Sequence, residues 1–179
     1  MKTQSFRNGS VARTDDLGRG DIGQKKKQSK LNQGIYVLVI ALNDGIHLKI
    51  GALGETGFKK GMYAYVGSAQ TNLKQRVKRH LRKEKRKFWH IDYLLDSNAA
   101  KIIKVLYKPG SKAEECRIAR ILADKGEAIE GFGCSDCHCK SHFFHLGNCQ
   151  FLDGFMQEID VEAWCLLSGE TILEKKNRG

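Results

Sequence analysis

Arg76 and His80 stand four residues apart within LKQRVKRHLRKEKRK, residues 73–87. On a helix that spacing puts both side chains on one face, beside the stripe of Leu73, Val77 and Leu81. The two residue types suit phosphodiester hydrolysis, which needs a deprotonated nucleophile, neutralised phosphate oxygens and support for the departing oxygen. A guanidinium fork stays charged at any working pH and bonds two phosphate oxygens at once, so transition-state stabilisation falls to Arg76. His80 is suited to orienting water or transferring a proton. The same run holds nine Lys or Arg against one Glu. That is a patch, and it names Lys74, Lys78, Arg79, Arg82, Lys83 and Arg86 as candidate contacts to a polyanion.

A second concentration is GFGCSDCHCKSHFFH, residues 131–145. Cys134, Cys137, Cys139, His142 and His145 offer the sulfur and imidazole ligands that zinc takes, and a Cys-x-x-Cys core is common in structural sites. All five fall within residues 134–145, however, whereas an ordinary zinc finger separates its ligand pairs by about a dozen residues or more. One ion cannot use them all. Zinc on Cys134, Cys137, Cys139 and His142 is therefore the weaker expectation, and packed thiols in a structural turn the stronger.

These residues need elements to position them. Order is expected from Gly34, where the β-branched run GIYVLVIAL is followed by Asn43-Asp44-Gly45 and a second run, IHLKIGAL; the turn chemistry predicts that the two runs pair as an antiparallel hairpin. GMYAYVGSA, residues 61–69, reads as a further strand. Thr71 or Asn72 can then cap an amphipathic helix carrying Arg76 and His80. WHIDYLLD predicts a short helix over residues 89–96, KIIKVLY a strand, and the apolar face of Cys116, Ile118, Ala119, Ile121 and Leu122 a helix from about residue 112 to Gly126. The mixture implies an α+β fold, a small antiparallel or mixed sheet flanked by helices.

The chain has 179 residues, of which 41% are hydrophobic and 28% charged, as in folded domains generally. One core is expected over residues 34–146, preceded by a flexible basic tail at 1–33 and followed by a C-terminal extension, 147–179, with a modest helix candidate at 161–167. A formal net charge of +11 points to a polyanionic partner. No apolar run reaches the ~18 residues of a membrane span. The N-terminus does not read as a secretory signal, so a cytoplasmic location and six reduced cysteines are the expectation.

GIY at residues 34–36, YVG at 65–67 and the basic helix with Arg76 and His80 follow one another in that order. Each tripeptide is weak alone; the ordered set resembles the GIY-YIG nuclease superfamily over about residues 34–125. With WHIDYLL and the cysteine-rich segment included, the chain looks like the prokaryotic branch catalogued as domain of unknown function 123. The resemblance implies a DNA endonuclease dependent on magnesium or manganese, with RNA an open alternative. It implies that Tyr36 helps to deprotonate the attacking water, with Tyr65 as its hydrogen-bonding partner, and that a helical Glu holds the metal. Glu115 is the match and Glu114 its competitor. Ser135, Asp136 and His142 would help line the cleft. Some members of the branch are fused to an endonuclease III-type repair glycosylase, which implies an association with DNA repair.

The match also departs from the pattern. Tyr36 and Tyr65 are separated by more residues than in compact members, with IHLKIGALGETGF as an extra hairpin that would account for the insertion and cover the cleft, and the Asn that many active members carry after the metal-binding helix has no equivalent. A phenol of ordinary pKa near ~10 is also a poor base at neutral pH. A non-catalytic nucleic-acid-binding module is therefore the alternative expectation.

Overall fold

The structure, a computed structural model, describes residues 32–161. The expected tail is outside the described residues up to residue 31, as is the expected helix 161–167 beyond Val161. In chain order the elements are β1 (Gly34–Leu42), β2 (Ile46–Ile50), β3 (Gly54–Phe58), β4 (Gly61–Ala69), α1 (Leu73–Leu81), α2 (His90–Asp96), β5 (Ala100–Lys108), α3 (Lys112–Ala123), β6 (Gly126–Ala128), β7 (Phe143–Leu146) and β8 (Gln157–Glu158). Six strands form one sheet in the order β6-β7-β4-β1-β5-β8, while β2 and β3 form a separate ribbon. Every pairing is antiparallel. The mixed α and β architecture expected from the sequence is therefore present.

Strand β1 lies at the centre because it is apolar on both faces. Tyr36, Leu38, Ile40 and Leu42 pack with Leu73 and Val77 of α1 and Ile91, Leu94 and Leu95 of α2. Ile35, Val37 and Val39 join Ile118, Ala119 and Leu122 of α3 on the other face. A strand buried on both faces also needs both edges satisfied, and the nine-residue strands β4 and β5 supply them.

This corrects the expected hairpin. β1 does not pair with the run after Asn43-Asp44-Gly45; that run, β2, pairs with β3 from Ile46 opposite Phe58 to Ile50 opposite Gly54. The Asn43 amide bonds Ala99 O at 3.1 Å instead. A five-residue strand with alternating exposure cannot satisfy a fully buried nine-residue edge, so partner length and burial overrode the local turn signal. The extra hairpin is thus a ribbon of its own, packed on α2, and it does not line the cleft described below.

The sheet also continues past residue 146. β8 extends it beside β5, with Leu106 opposite Glu158 and Tyr107 opposite Gln157, and Leu152 and Met156 are buried against the α3 face. Between β6 and β7, residues 129–142 form no helix or strand. Phe132 anchors this segment: it is fully buried, with its ring centroid 4.6 Å from that of Phe143 and 6.3 Å from that of Phe58, contacts worth about 0.5–1.5 kcal/mol per pair beyond the area buried.

Candidate active site

At one end of the sheet β1 begins and β4 and β5 finish, which gathers Tyr36, Gly67 and Tyr107 in register. Tyr36 lies directly opposite Gly67, and a Cβ there would meet the phenol oxygen at 2.5 Å. The glycine of YVG is thus the space that Tyr36 occupies. Tyr36 is 1% exposed, and its hydroxyl lies 2.9 Å from His80 Nε2. The phenol is thus partnered by His80, with Arg76 also acting on it as a hydrogen-bond donor, while Tyr65 makes a ring contact at a centroid distance of 6.5 Å.

Burial pushes the Tyr36 phenol well above its ordinary value, with Tyr65 and Glu115 adding to the rise and Arg76 opposing it. Tyr65 is raised as well, mainly by burial. Both phenols are neutral near pH 7. His80 is 2% exposed, and burial takes its imidazole down to about 3, so it is a neutral ring behind Tyr36. It does not line the cleft, which corrects the expectation that it handles water directly. Its place is that of a positioning residue.

A linkage effect follows. A histidine that ionises near 6.5 when unfolded and near 3 when folded is fully accommodated above pH 6.5 and is disfavoured as pH falls through that window, because the unfolded chain binds the proton first. Unfolding free energy should fall as pH drops from about 6.5 toward 3, by at most about 1.4 kcal/mol per unit. His80→Phe should remove much of that slope in denaturant titrations repeated across pH, and an unchanged slope would contradict a buried neutral imidazole.

Arg76 is held over Trp89, with its guanidinium carbon 4.8 Å from the ring centroid. Arg79 sits over the same indole at 4.2 Å. Asp92, fully buried, takes both arms of Arg79 at 2.8 Å and accepts the amides of Trp89 at 2.9 Å and Phe88 at 3.0 Å. Burial by itself would raise this carboxyl, but the Arg79 fork and the two amides outweigh it and hold the group below its ordinary value. One buried acid thus caps α2 and fixes the Trp89 platform under Arg76.

The basic run is consequently not one uniform phosphate-binding surface. Arg79 is committed to Asp92, and Lys78 is only 7% exposed, which removes both from the outer face. Lys83 reaches the carbonyls of Leu95 and Ser97, and Lys85 those of His80 and Arg82, so each closes a helix C-terminus. Arg82 and Arg86 are exposed, and Lys74 is partly so.

Glu115, in the first turn of α3, is 9% exposed and lines the same cleft as Tyr36, Tyr65 and Arg76; the cleft volume is about 560 Å³. Glu114 points elsewhere, pairing with Lys108 and Arg117. The wall also contains Phe88, Trp89, Lys112, Ser135 and Asp136, of which the last two belong to the expected lining, and Lys112 forms an ion pair with Asp136. Phe88 and Lys112 were not among the expected site residues. The signal for Phe88 was a large aromatic beside the basic run, and it is 76% exposed.

Behind Glu115, His142 is 1% exposed and places Nδ1 2.8 Å from Glu115 Oε1, off the line of a hydrogen bond, and Nε2 3.4 Å from Cys137 Sγ. Cys116, Cys137, Cys139 and His142 bring their ligand atoms within 4.8 Å of one another, a group able to hold a metal ion. This corrects the expected set. Cys134 is outside the group, with its thiol turned to Lys140 O at 3.7 Å, and Cys116 of α3 takes its place. His145 is outside too, packed on Tyr63 at a centroid distance of 4.8 Å. Burial and the neighbouring Cys116 and Cys137 push the Cys139 thiol up to about 12.

A family model described as domain of unknown function DUF123 matches residues 35–163. The chain belongs to this family. In this DUF123 domain the match takes in the whole cleft, the cysteine group and β8. No curated protein and no solved structure matches the chain. Among the described residues, no helix of the DUF123 domain is long and apolar enough to cross a membrane.

Proposed function

We propose that this DUF123 domain is a metal-dependent endonuclease that hydrolyses phosphodiester bonds in DNA, in repair or processing. The observation that carries the reading is the meeting of Tyr36, Tyr65, Arg76 and Glu115, contributed by β1, β4, α1 and α3, in one cleft open to solvent. The ordered likeness to GIY-YIG nucleases supports it, as does the net charge of +11.

Each side chain has work that its surroundings allow. Arg76, steadied by Trp89, binds the phosphate and offsets the charge that develops on it. Glu115 fits a magnesium or manganese ion, being a hard oxygen donor at the wall of a cleft with room for the waters such an ion retains. That ion would supply Lewis-acid polarisation of a phosphate oxygen and lower the pKa of bound water. Tyr36, neutral and fixed by His80, orients the attacking water through its hydroxyl, and Tyr65 walls the cleft beside it. The cysteine group is chemically distinct: three sulfurs and one imidazole suit zinc, not magnesium.

The experiment is a cleavage screen of the full chain with magnesium or manganese on branched, nicked and single-stranded DNA, with RNA for comparison. Metal-dependent scission of a DNA form supports the reading, and binding without scission of any form defeats it in favour of a binding module. The exposed Phe88 gives that second reading an observation of its own, since an aromatic at the rim of the cleft can stack an unpaired base. The surface contacts are testable separately. Replacing Arg82 and Arg86 by alanine should flatten the slope of log affinity against log salt on duplex DNA by about 1.8 units. A slope equal to that of the wild type would place the DNA on another face.

A further inference from the structure

We infer that Cys116, Cys137, Cys139 and His142 bind one structural zinc ion, and that this ion fixes Glu115 in the cleft through His142. The second half rests on the cleft reading above; the first does not.

The donor set is the first argument. Three thiols and an imidazole make a closed, soft, four-ligand site of the kind that zinc occupies structurally, with no carboxylate among the four. Tetrahedral zinc with bonds of about 2.3 Å to sulfur puts its donors about 3.8 Å apart. The four atoms already lie within 4.8 Å of one another, and His142 Nε2 is 3.4 Å from Cys137 Sγ. Only a small contraction separates the observed group from a coordination shell. Binding would displace three thiol protons, leaving three thiolates and a neutral imidazole around the dication, with a net charge of minus one.

Placement is the second argument. Cys116 is on α3, whereas Cys137, Cys139 and His142 belong to the segment without regular structure between β6 and β7. The ion would tie that segment to the helix, at the point where the segment supplies Ser135 and Asp136 to the cleft. His142 is 1% exposed, and its two ring nitrogens face opposite sides of the junction, Nε2 toward Cys137 Sγ at 3.4 Å and Nδ1 toward Glu115 Oε1 at 2.8 Å.

The coupling to Glu115 follows from tautomer chemistry. A metal at Nε2 of a neutral imidazole requires the proton on Nδ1, and Nδ1 faces Glu115 Oε1 at 2.8 Å. Carboxylates in that outer position commonly orient a metal-bound histidine. Here the orientation acts in both directions, because Glu115 is also the chain neighbour of Cys116.

The test is elemental analysis of the full chain, purified without chelator. One zinc per chain is expected. It should be lost in Cys116→Ser and Cys139→Ser, and kept in Cys134→Ser, Cys149→Ser and Glu115→Gln. Should the serine variants fail to fold, cobalt substitution of the wild type reads the same site: the visible and thiolate charge-transfer bands of a tetrahedral sulfur-rich centre are expected. Nitrogen-15 spectra of the zinc-loaded protein should show His142 protonated at Nδ1, with that proton's resonance displaced in Glu115→Gln. A chain that binds neither zinc nor cobalt, a disulfide engaging Cys116, or zinc loss in Cys134→Ser in place of Cys116→Ser would overturn the site. A proton on Nε2 in the zinc-loaded protein would overturn the coupling. None of these readouts uses cleavage, so the site can fail while the nuclease reading stands, and the reverse.

Discussion

Arg76→Ala is expected to lower the single-turnover rate of DNA cleavage about 10²- to 10³-fold, the range seen when one preorganised donor to a developing oxyanion is removed. The expectation rests on where the guanidinium is held. Trp89 supports it from one side, Trp89 is fixed in turn by Arg79 and Asp92, and the open face of Arg76 looks into the cleft. A side chain steadied this way loses little freedom on meeting the phosphate. Binding should weaken far less than the rate, because Arg82, Arg86 and Lys112 remain. Arg76→Lys should recover only part of the activity, since an ammonium cannot reproduce a two-pronged contact. A loss of affinity with the saturating single-turnover rate unchanged would instead make Arg76 an ordinary ground-state contact.

Asp92→Ala should produce the largest loss of stability among single changes near the cleft, about 3 kcal/mol. The carboxylate is fully buried and serves four donors at once: the two arms of the Arg79 fork and the amides of Phe88 and Trp89. Removing it takes away the cap of α2 and leaves the guanidinium without its counter-charge. Arg79 remains 27% exposed on its side chain and can rehydrate in part, which places the expected loss at the lower end of the usual range for broken buried pairs. The pH dependence has a definite sign. Because the folded protein holds this carboxyl below its ordinary value, the stabilisation is complete above about pH 4 and fades as acid protonates the folded form. The gap between wild type and Asp92→Ala in urea titrations should be constant from about pH 5 upward and narrow below about pH 4. A gap that stays constant into acid would remove the ionic part of the account.

The sequence made some of this visible. Runs such as GIYVLVIAL and KIIKVLY, and the four-residue spacing of Leu73, Val77 and Leu81, are local signals, and the strands and the helix they predict are all present. Which strand pairs with which was not legible. Asn43-Asp44-Gly45 carries ordinary hairpin chemistry, but the partners of β1 were chosen by two-sided burial over nine residues, which is a property of the assembled core.

The same limit governs the candidate site. Arg76 and Glu115 line the same cleft, but only Arg76 belongs to the ordered motif, and Glu115 was reached through the family resemblance alone. Counting charges in residues 73–87 overstated the outer basic surface, because the pairing of Arg79 with Asp92 joins residues 13 apart across two helices. Cys116 escaped notice as a ligand because it joins Cys137 and Cys139 only through the packing of α3 on the segment after β6. Its neighbour Glu115 was singled out from the sequence, so the signal was one position away.

The most direct measurement of the central claim compares wild type with Glu115→Gln on one DNA substrate, in magnesium and without it, under single-turnover conditions, with binding followed in parallel. Glutamine keeps the shape of the side chain and removes its charge, so the fold and DNA binding should persist. The account predicts scission by the wild type only when the metal is added, and at least about 10²-fold slower scission by the variant at similar affinity. Equal rates for the two proteins, or scission indifferent to added metal, would contradict it.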